Sequence, residues 1–369
     1  MSKKMIVLSW MIATLLVCNF SIAQINQEKI IHIEKNQNPK YLIEIMQDLV
    51  IGLSNDNEDF LFSSIDQVQV DRKGNIYVSD LRDKCIKVFD RNGKNLRIIG
   101  KGGRGPGEIL SVSGLSLVGE YKLLVSDAGN RRLTYFSTKG EWKRSIPMGT
   151  KMIAKAVEDN KGNIIAQLLV MGRETKQEIV KFDNELNPIF QIASKVEEGW
   201  NDEYVLRPIK PRLSYGVTKE GKIIWGISSN YELNILDSKG NLIKRIIKDT
   251  SPLEISNSYK KEIRQNYKNK NIPPNYKIEF QKYFTEFSFF VLEKNGRIYI
   301  KTYQMNQNHE YYHDVFNVQG EYLAQFTLKE GEYISEVKDN KLYCVIRENK
   351  DGIPLVKRYN LKWQNISNS

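Results

Sequence analysis

The chain is predicted to be all-β, a six-bladed β-propeller of four-stranded blades, closed by a terminal strand and carrying one helical insertion. Three features lead there: a glycine turn that recurs before short apolar strands, a second glycine turn at a repeated distance behind it, and six such strands between residues 65 and 363. The first turn reads Lys73-Gly74-Asn75, Lys161-Gly162-Asn163, Glu220-Gly221-Lys222 and Asn295-Gly296-Arg297. Glycine there supplies the positive φ that a tight hairpin demands. The second follows a strand end: Val88-Phe89-Asp90 to Gly93, Tyr135-Phe136-Ser137 to Gly140, Ile235-Leu236-Asp237 to Gly240, Val315-Phe316-Asn317 to Gly320. The two turns lie 19 residues apart in two units (74 to 93, 221 to 240) and 24 apart in a third (296 to 320). A repeated offset between two turn types indicates one unit copied along the chain.

Met-Ser-Lys-Lys, the apolar run Met5 to Phe20 and Ser21-Ile22-Ala23 describe a secretory signal cleaved after Ala23. The apolar core is shorter than the roughly 20 residues a membrane span needs. Leu15-Leu16-Val17-Cys18 vaguely resembles a lipobox, but Val17 stands where that signal wants Gly, Ala or Ser. Residues 24–64 follow as an N-terminal segment. The blades are then expected at 65–108, 109–150, 151–195, 205–250, 286–330 and 331–363. Their second strands are Asn75–Ser79, Lys122–Ser126, Asn163–Gln167, Lys222–Ile227, Arg297–Lys301 and Lys341–Ile346, rich in the Tyr, Ile, Val and Trp that strands favour. The last blade is short of an outer strand; Ile30–Glu34 or Tyr41–Gly52 can supply it, which closes the ring and removes an open sheet edge. Between blades four and five, residues 251–285 break the pattern. Ile255, Tyr259, Ile263 and Tyr267 recur every four residues, as one helix face requires, and Pro273-Pro274 end it. Residues 364–369 form a tail.

Gly-Asn-Ile-Tyr-Val-Ser-Asp (74–80), Ile-Lys-Val-Phe-Asp-Arg-Asn-Gly-Lys (86–94) and Ile-Gly-Lys-Gly-Gly-Arg-Gly-Pro-Gly-Glu (99–108) resemble NHL-type repeats. More narrowly, they resemble the secreted six-bladed propeller proteins of Bacteroidetes-type bacteria. The match is most specific over 65–145, stays in register to 363 and does not cover 251–285. It implies a propeller and an extracytoplasmic home (periplasm, exterior or cell surface). That family has no single shared chemistry, so no catalytic residue is carried over.

The formal charge is +11, from 55 Lys and Arg against 44 Asp and Glu. In a cytoplasmic protein that would raise nucleic acid as a partner. Behind a secretory signal no nucleic acid is expected, and a protein or an acidic polysaccharide is the better partner. No further apolar run reaches spanning length, so no membrane span is expected in the mature chain; a monomer is expected. Cys85 and Cys344 fall in different blades and are expected as buried free thiols, because a large β core needs no disulfide staple.

Four constellations bear on chemistry. His309-Glu310-Tyr311-Tyr312-His313 spells H-E-x-x-H, a zinc motif only on a helix. The repeat puts it at the start of a third strand, where positions four apart are separated by about 13 Å. His309 and His313 are therefore rejected as a zinc pair, and no metal or other cofactor is predicted. Gly102–Gly107 lacks the Gly-Lys-Ser/Thr ending of a phosphate loop and reads as a crossing between blades. Asp80 and Asp127 end the second strands and are expected to cap the following turns. Finally, loops joining second to third strands, and each blade to the next, share one propeller face. Those loops carry Arg82, Arg104, Arg131, Arg132 and Arg173, whose planar forks suit carboxylate or phosphate.

The expected function is non-catalytic binding of a protein or anionic glycan on that face around the central channel. The alternative is a propeller lactone hydrolase or lyase with a calcium or zinc site at the channel mouth. Three histidines in the whole chain count against it.

Overall fold

The computed structural model describes residues 28–53, 57–197, 204–268 and 275–366, so the expected signal with Ala23, Cys18 and Pro273-Pro274 lie outside the described residues. Six antiparallel blades follow one another along the chain. The last two are joined in one eight-stranded sheet, where Tyr41 and Leu42 pair parallel with Ala324 and Gln325. Blade one runs Ile65–Val70, Ile76–Asp80, Cys85–Phe89 and Asn95–Ile99 from the channel outward, and blade two Val112–Val118, Lys122–Asp127, Arg132–Ser137 and Trp142–Pro147. Blade three spans Met152–Glu158 to Pro188–Val196, blade four Leu213–Val217 to Leu242–Lys248, and blade five Phe289–Leu292 to Tyr322–Lys329. Blade six contributes Tyr333–Lys338, Lys341–Ile346 and Leu355–Asn365 from the C-terminal end.

Its fourth strand is Tyr41–Ile51, which pairs antiparallel with Leu355–Asn365 from Tyr41 opposite Asn365 to Ile51 opposite Val356. Of the two N-terminal candidates, this one closes the ring. Lys29–Ile33 instead lies parallel to Leu242–Lys248 as a fifth strand on blade four. The closing strand is pinned by Asp48, whose two oxygens accept from Arg358 Nε at 2.9 Å and Nη2 at 3.1 Å, while Lys341 Nζ donates at 3.1 Å. Tyr41 meets Trp363 edge-on at 5.8 Å.

The two middle strands of blade one, Ile76–Asp80 and Cys85–Phe89, are buried at every position. Each blade is packed on both faces by its neighbours, so these strands need no polar face. The core is accordingly a ring of inter-blade clusters. One sets Tyr77, Ile86 and Val88 of blade one against Leu115, Leu117, Leu123 and Val125 of blade two. Another sets Val68, Val78 and Phe89 against Tyr343, Val345 and Val356 of blade six, with Phe60 and Phe62 edge-on to Phe89 at 5.7 Å. A fully buried side chain of this size stabilises by about 1.5–3 kcal/mol.

The glycine turns have a local cause. Asp71 Oδ1 accepts from the N–H of Lys73 at 2.8 Å and of Asn75 at 2.9 Å, and Gly74 takes φ 82°. The same pair of bonds, two and four residues on, recurs from Asp90, Asp159, Asp183, Asp237, Asn306, Asn317 and Asn349. An Asx side chain thus folds each turn before the strands meet, and the fourth residue must be left-handed. In the turn at Asn306 that fourth residue is His309, at φ 59°.

Asn257–Lys268 is the expected helix, opened by Ser256 Oγ accepting the Tyr259 N–H at 3.2 Å. Its base is tied to the propeller by Ile255 N–H to Lys282 O, and by Tyr259 edge-on to Phe284, which stacks on Tyr303 at 4.5 Å. No helix among the described residues is long and apolar enough to cross a membrane.

Candidate functional site at the channel mouth

Inner strands of neighbouring blades are too splayed to form ladders, yet their backbone groups need partners. Side chains bridge them instead. Gln67 Oε1 accepts from Leu115 N–H at 2.8 Å, and Gln69 Oε1 from Leu117 N–H at 3.0 Å. Gln69 Nε2 donates to Glu336 at 2.9 Å, and Lys338 Nζ to Val70 O at 2.9 Å. Lys294 Nζ reaches from blade five to Leu117 O of blade two at 2.8 Å. The channel wall is therefore polar. Burial pushes the Glu336 carboxyl up to about 7 against the opposing pull of Lys294, Lys338 and Lys155. Burial likewise draws the Lys155 ammonium down, with Glu336 and Asp66 opposing.

At the face of the blade crossings the channel opens into a cavity of about 520 Å³. Helix residues Tyr259, Glu262, Ile263 and Asn266 border it on one side. Asp66, Gln67, Lys155 and Tyr215 line its inner end, and Lys301, Tyr303, Tyr311, Tyr333, Arg212, Arg347 and the carboxylate-bearing Glu330 are among the rest of the wall. Arg347 is paired with Asp66 at 2.7 Å. Arg212 is exposed.

Lys301 differs from Lys87 and Lys181. It shares with Lys155 of the same cavity a place over a tyrosine ring (5.6 Å from that of Tyr215 for Lys155), with no ion pair among the described residues. Lys87 is matched by Asp83 at 2.5 Å and Asp80 at 3.3 Å, and Lys181 by Asp159 at 2.8 Å. Lys301 is only 6% exposed, and among the described residues no carboxylate lies within ion-pair distance of it. Its ammonium sits instead 4.4 Å from the Tyr311 ring centre and 4.6 Å from that of Tyr333. Burial draws it down to about 8, against the opposing charge of Glu330. A perturbed group with aromatic neighbours in an open cavity is where binding chemistry concentrates.

The arginines read from the loops lie elsewhere. None of Arg82, Arg104, Arg131, Arg132 or Arg173 lines this cavity. Arg132 is engaged with the glycine crossing, donating to the carbonyls of Arg104, Gly105 and Glu108 at 3.3, 2.7 and 2.8 Å. Arg131, at φ 52°, donates to Gly149 O. Arg82, Arg104 and Arg173 are exposed. Asp80 and Asp127, both fully buried, accept from the backbone N–H groups of Ser63 and Ser64, and of Leu110 and Ser111, locking the entry to each inner strand.

The H-E-x-x-H segment forms no helix: His309 closes a turn, and Glu310–Asn317 is a strand. His313 is buried and stacked on Phe326 at 5.3 Å, and burial holds its imidazole down to about 3, with Lys301 adding to the effect. Among the described residues no three His, Cys, Asp or Glu side chains are grouped to hold a metal ion. Cys85 and Cys344 are buried free thiols.

A family model described as a 6-bladed beta-propeller matches residues 21–201. Among solved structures, the chain is similar to a protein from Bacteroides fragilis described as exported, at TM-score 0.56 and 12% identity, covering 90% of this chain and 100% of that one. It is also similar to a member of the DUF4221 family from Bacteroides vulgatus, at TM-score 0.57 and 15% identity, covering 88% and 99%. At such identities the likeness shows the fold. None of the curated proteins is similar enough to count as a match.

Proposed function

We propose that this propeller is exported and binds an acidic polysaccharide segment in the mouth cavity, without cleaving it. The observation that carries the reading is Lys301, a cation beside two tyrosine rings with no carboxylate in ion-pair distance among the described residues, in a cavity that also presents Arg212. Tyrosine faces suit the C–H surface of a sugar ring, and their hydroxyls suit its oxygens. Arginine offers a fork that matches a uronate carboxylate. Export is supported by the basic start, apolar centre and small residues ending at Ala23, and by the fold-level likeness to a protein described as exported.

Calorimetric titration with oligogalacturonate, against a neutral oligosaccharide of equal length, tests this. Only the acidic ligand should bind, and Arg212→Ala and Lys301→Met should each weaken it about tenfold, the loss of one charge-assisted contact. Arg104→Ala with Arg131→Ala should leave it unchanged. Loss confined to that second pair would move the site to the outer loops, and capture of a protein with no saccharide binding would replace the ligand class.

A further inference from the structure

The surroundings of Lys301 go beyond holding an anion. Lys87 and Lys181, on buried strands, are each matched by a carboxylate. Lys301 instead has its ammonium beside the Tyr311 and Tyr333 rings, on the wall of an open cavity, with Arg212 and Arg347 on the same wall. Besides the phenols of Tyr311 and Tyr333, three ionisable groups act on it, while Glu262 and Arg347 line the same cavity. Glu330 lies on the blade crossing, Cys344 on the second strand of blade six, and Arg212 on the crossing into blade four. His313, its cross-strand partner, is neutral at physiological pH because it is held down to about 3. Burial outweighs Glu330 and Cys344, which favour the ammonium, while Arg212 opposes it.

We propose that Lys301 is a nucleophilic amine that condenses reversibly with the carbonyl of a small aldehyde acid or 2-oxo acid, the open-chain reducing end of a uronate included. The nitrogen lone pair attacks the carbonyl carbon and a proton moves from nitrogen to oxygen, giving a carbinolamine. Water then leaves as the C=N bond forms, with no change of oxidation state. Arg212 is placed to receive the acid group, because Arg347 is already paired with Asp66. Burial, which lowers this amine to about 8, leaves a sizeable neutral fraction near pH 7.5, where an ordinary lysine has about one part in a thousand. The proposal deepens the saccharide-binding reading by naming the end of the ligand that meets Lys301.

The test uses the folded protein with glyoxylate, an aldehyde acid small enough for the cavity, and cyanoborohydride as the hydride donor that traps the imine as carboxymethyl-lysine. Peptide mass spectrometry then locates the adduct. Lys301 should label tens of fold faster than exposed Lys329 at pH 7.5, with half-maximal rate near pH 8. Lys301→Arg, which keeps the charge but cannot form an imine under these conditions, should abolish the fast phase while retaining the wild-type thermal midpoint within a few degrees. Labelling of Lys301 no faster than of Lys329, or a midpoint above pH 10, overturns the proposal. Oligogalacturonate titrated against the same samples separates the two readings. Binding without fast labelling removes only the amine chemistry, and fast labelling without binding removes only the polysaccharide.

Discussion

Replacing Asp48 by Asn removes one charge from the clasp that closes the ring, and the structure sets the size of the effect. Asp48 accepts two parallel bonds from Arg358 and a third from Lys341. The Arg358 side chain is 10% exposed and that of Asp48 24%, so the pair is largely desolvated. Asn retains one acceptor but leaves the guanidinium uncompensated, with the Arg91 carbonyl as its remaining partner. A fully buried pair broken in this way costs about 3–5 kcal/mol and an exposed one under about 1 kcal/mol. The intermediate burial places Asp48→Asn near 2 kcal/mol, or roughly 3 °C in thermal midpoint for a chain this long. The pH dependence follows from the direction of the shift. Burial raises the Asp48 carboxyl, but the bonds from Arg358 and Lys341 together outweigh it and hold it below 3.8. The carboxylate's contribution is therefore complete above about pH 4 and is lost as pH falls through the lower folded value. Urea unfolding of wild type and variant at pH 7, 5 and 3 should give a gap that is constant from 7 to 5 and narrows at 3. A gap under about 0.5 kcal/mol at pH 7, or one that persists undiminished in acid, would show that the clasp does not hold the ring.

Three further outcomes follow from the same geometry. Gly52→Ala should cost about 3 kcal/mol in urea unfolding, since Gly52 sits at φ +107° and an added Cβ would lie 2.7 Å from Phe62 and 2.8 Å from the Pro354 carbonyl. His309→Gly should stabilise by up to roughly 1 kcal/mol without altering oligogalacturonate affinity, because it relieves a left-handed histidine in an exposed turn. A destabilised variant would mean that the His309 side chain contributes more than the backbone loses. Glu336→Gln should flatten a decline in stability between about pH 5 and 8. Burial raises this carboxyl to about 7, so the native state holds the proton longer than the unfolded chain and loses stability as pH rises through that window, on the order of 1–2 kcal/mol.

What was legible in the sequence is what local chemistry decides. The propeller could be read from its turns because Asp71 and its counterparts fold them within five residues, so the glycines repeat where the blades repeat. The helix showed as a four-residue spacing for the same reason. The choice of closing strand is different in kind: Ile30–Glu34 and Tyr41–Gly52 both look like strands, and only pairing with Leu355–Asn365 separates them. The binding face was placed by topology, which tells which loops share a face but not how far each lies from the axis. Arg132 therefore read as a rim cation, although it bonds the carbonyls of its own crossing. Lys301 stayed hidden because a lysine in an alternating strand reads as a solvent-facing position. Its signal was the absence of an acidic partner of the kind that Asp83 and Asp159 provide for Lys87 and Lys181.

The central claim is that the cavity beside the helix, rather than the outer arginine loops, receives an acidic sugar. A crystal structure of the protein soaked with trigalacturonate tests it most directly. Density for the sugar is expected between Tyr303 and Tyr333, with a carboxylate within 3.2 Å (about the outer limit of a hydrogen bond) of Arg212 or Lys301. Sugar density at Arg82, Arg104 and Arg131, with the mouth cavity holding water alone, would contradict it.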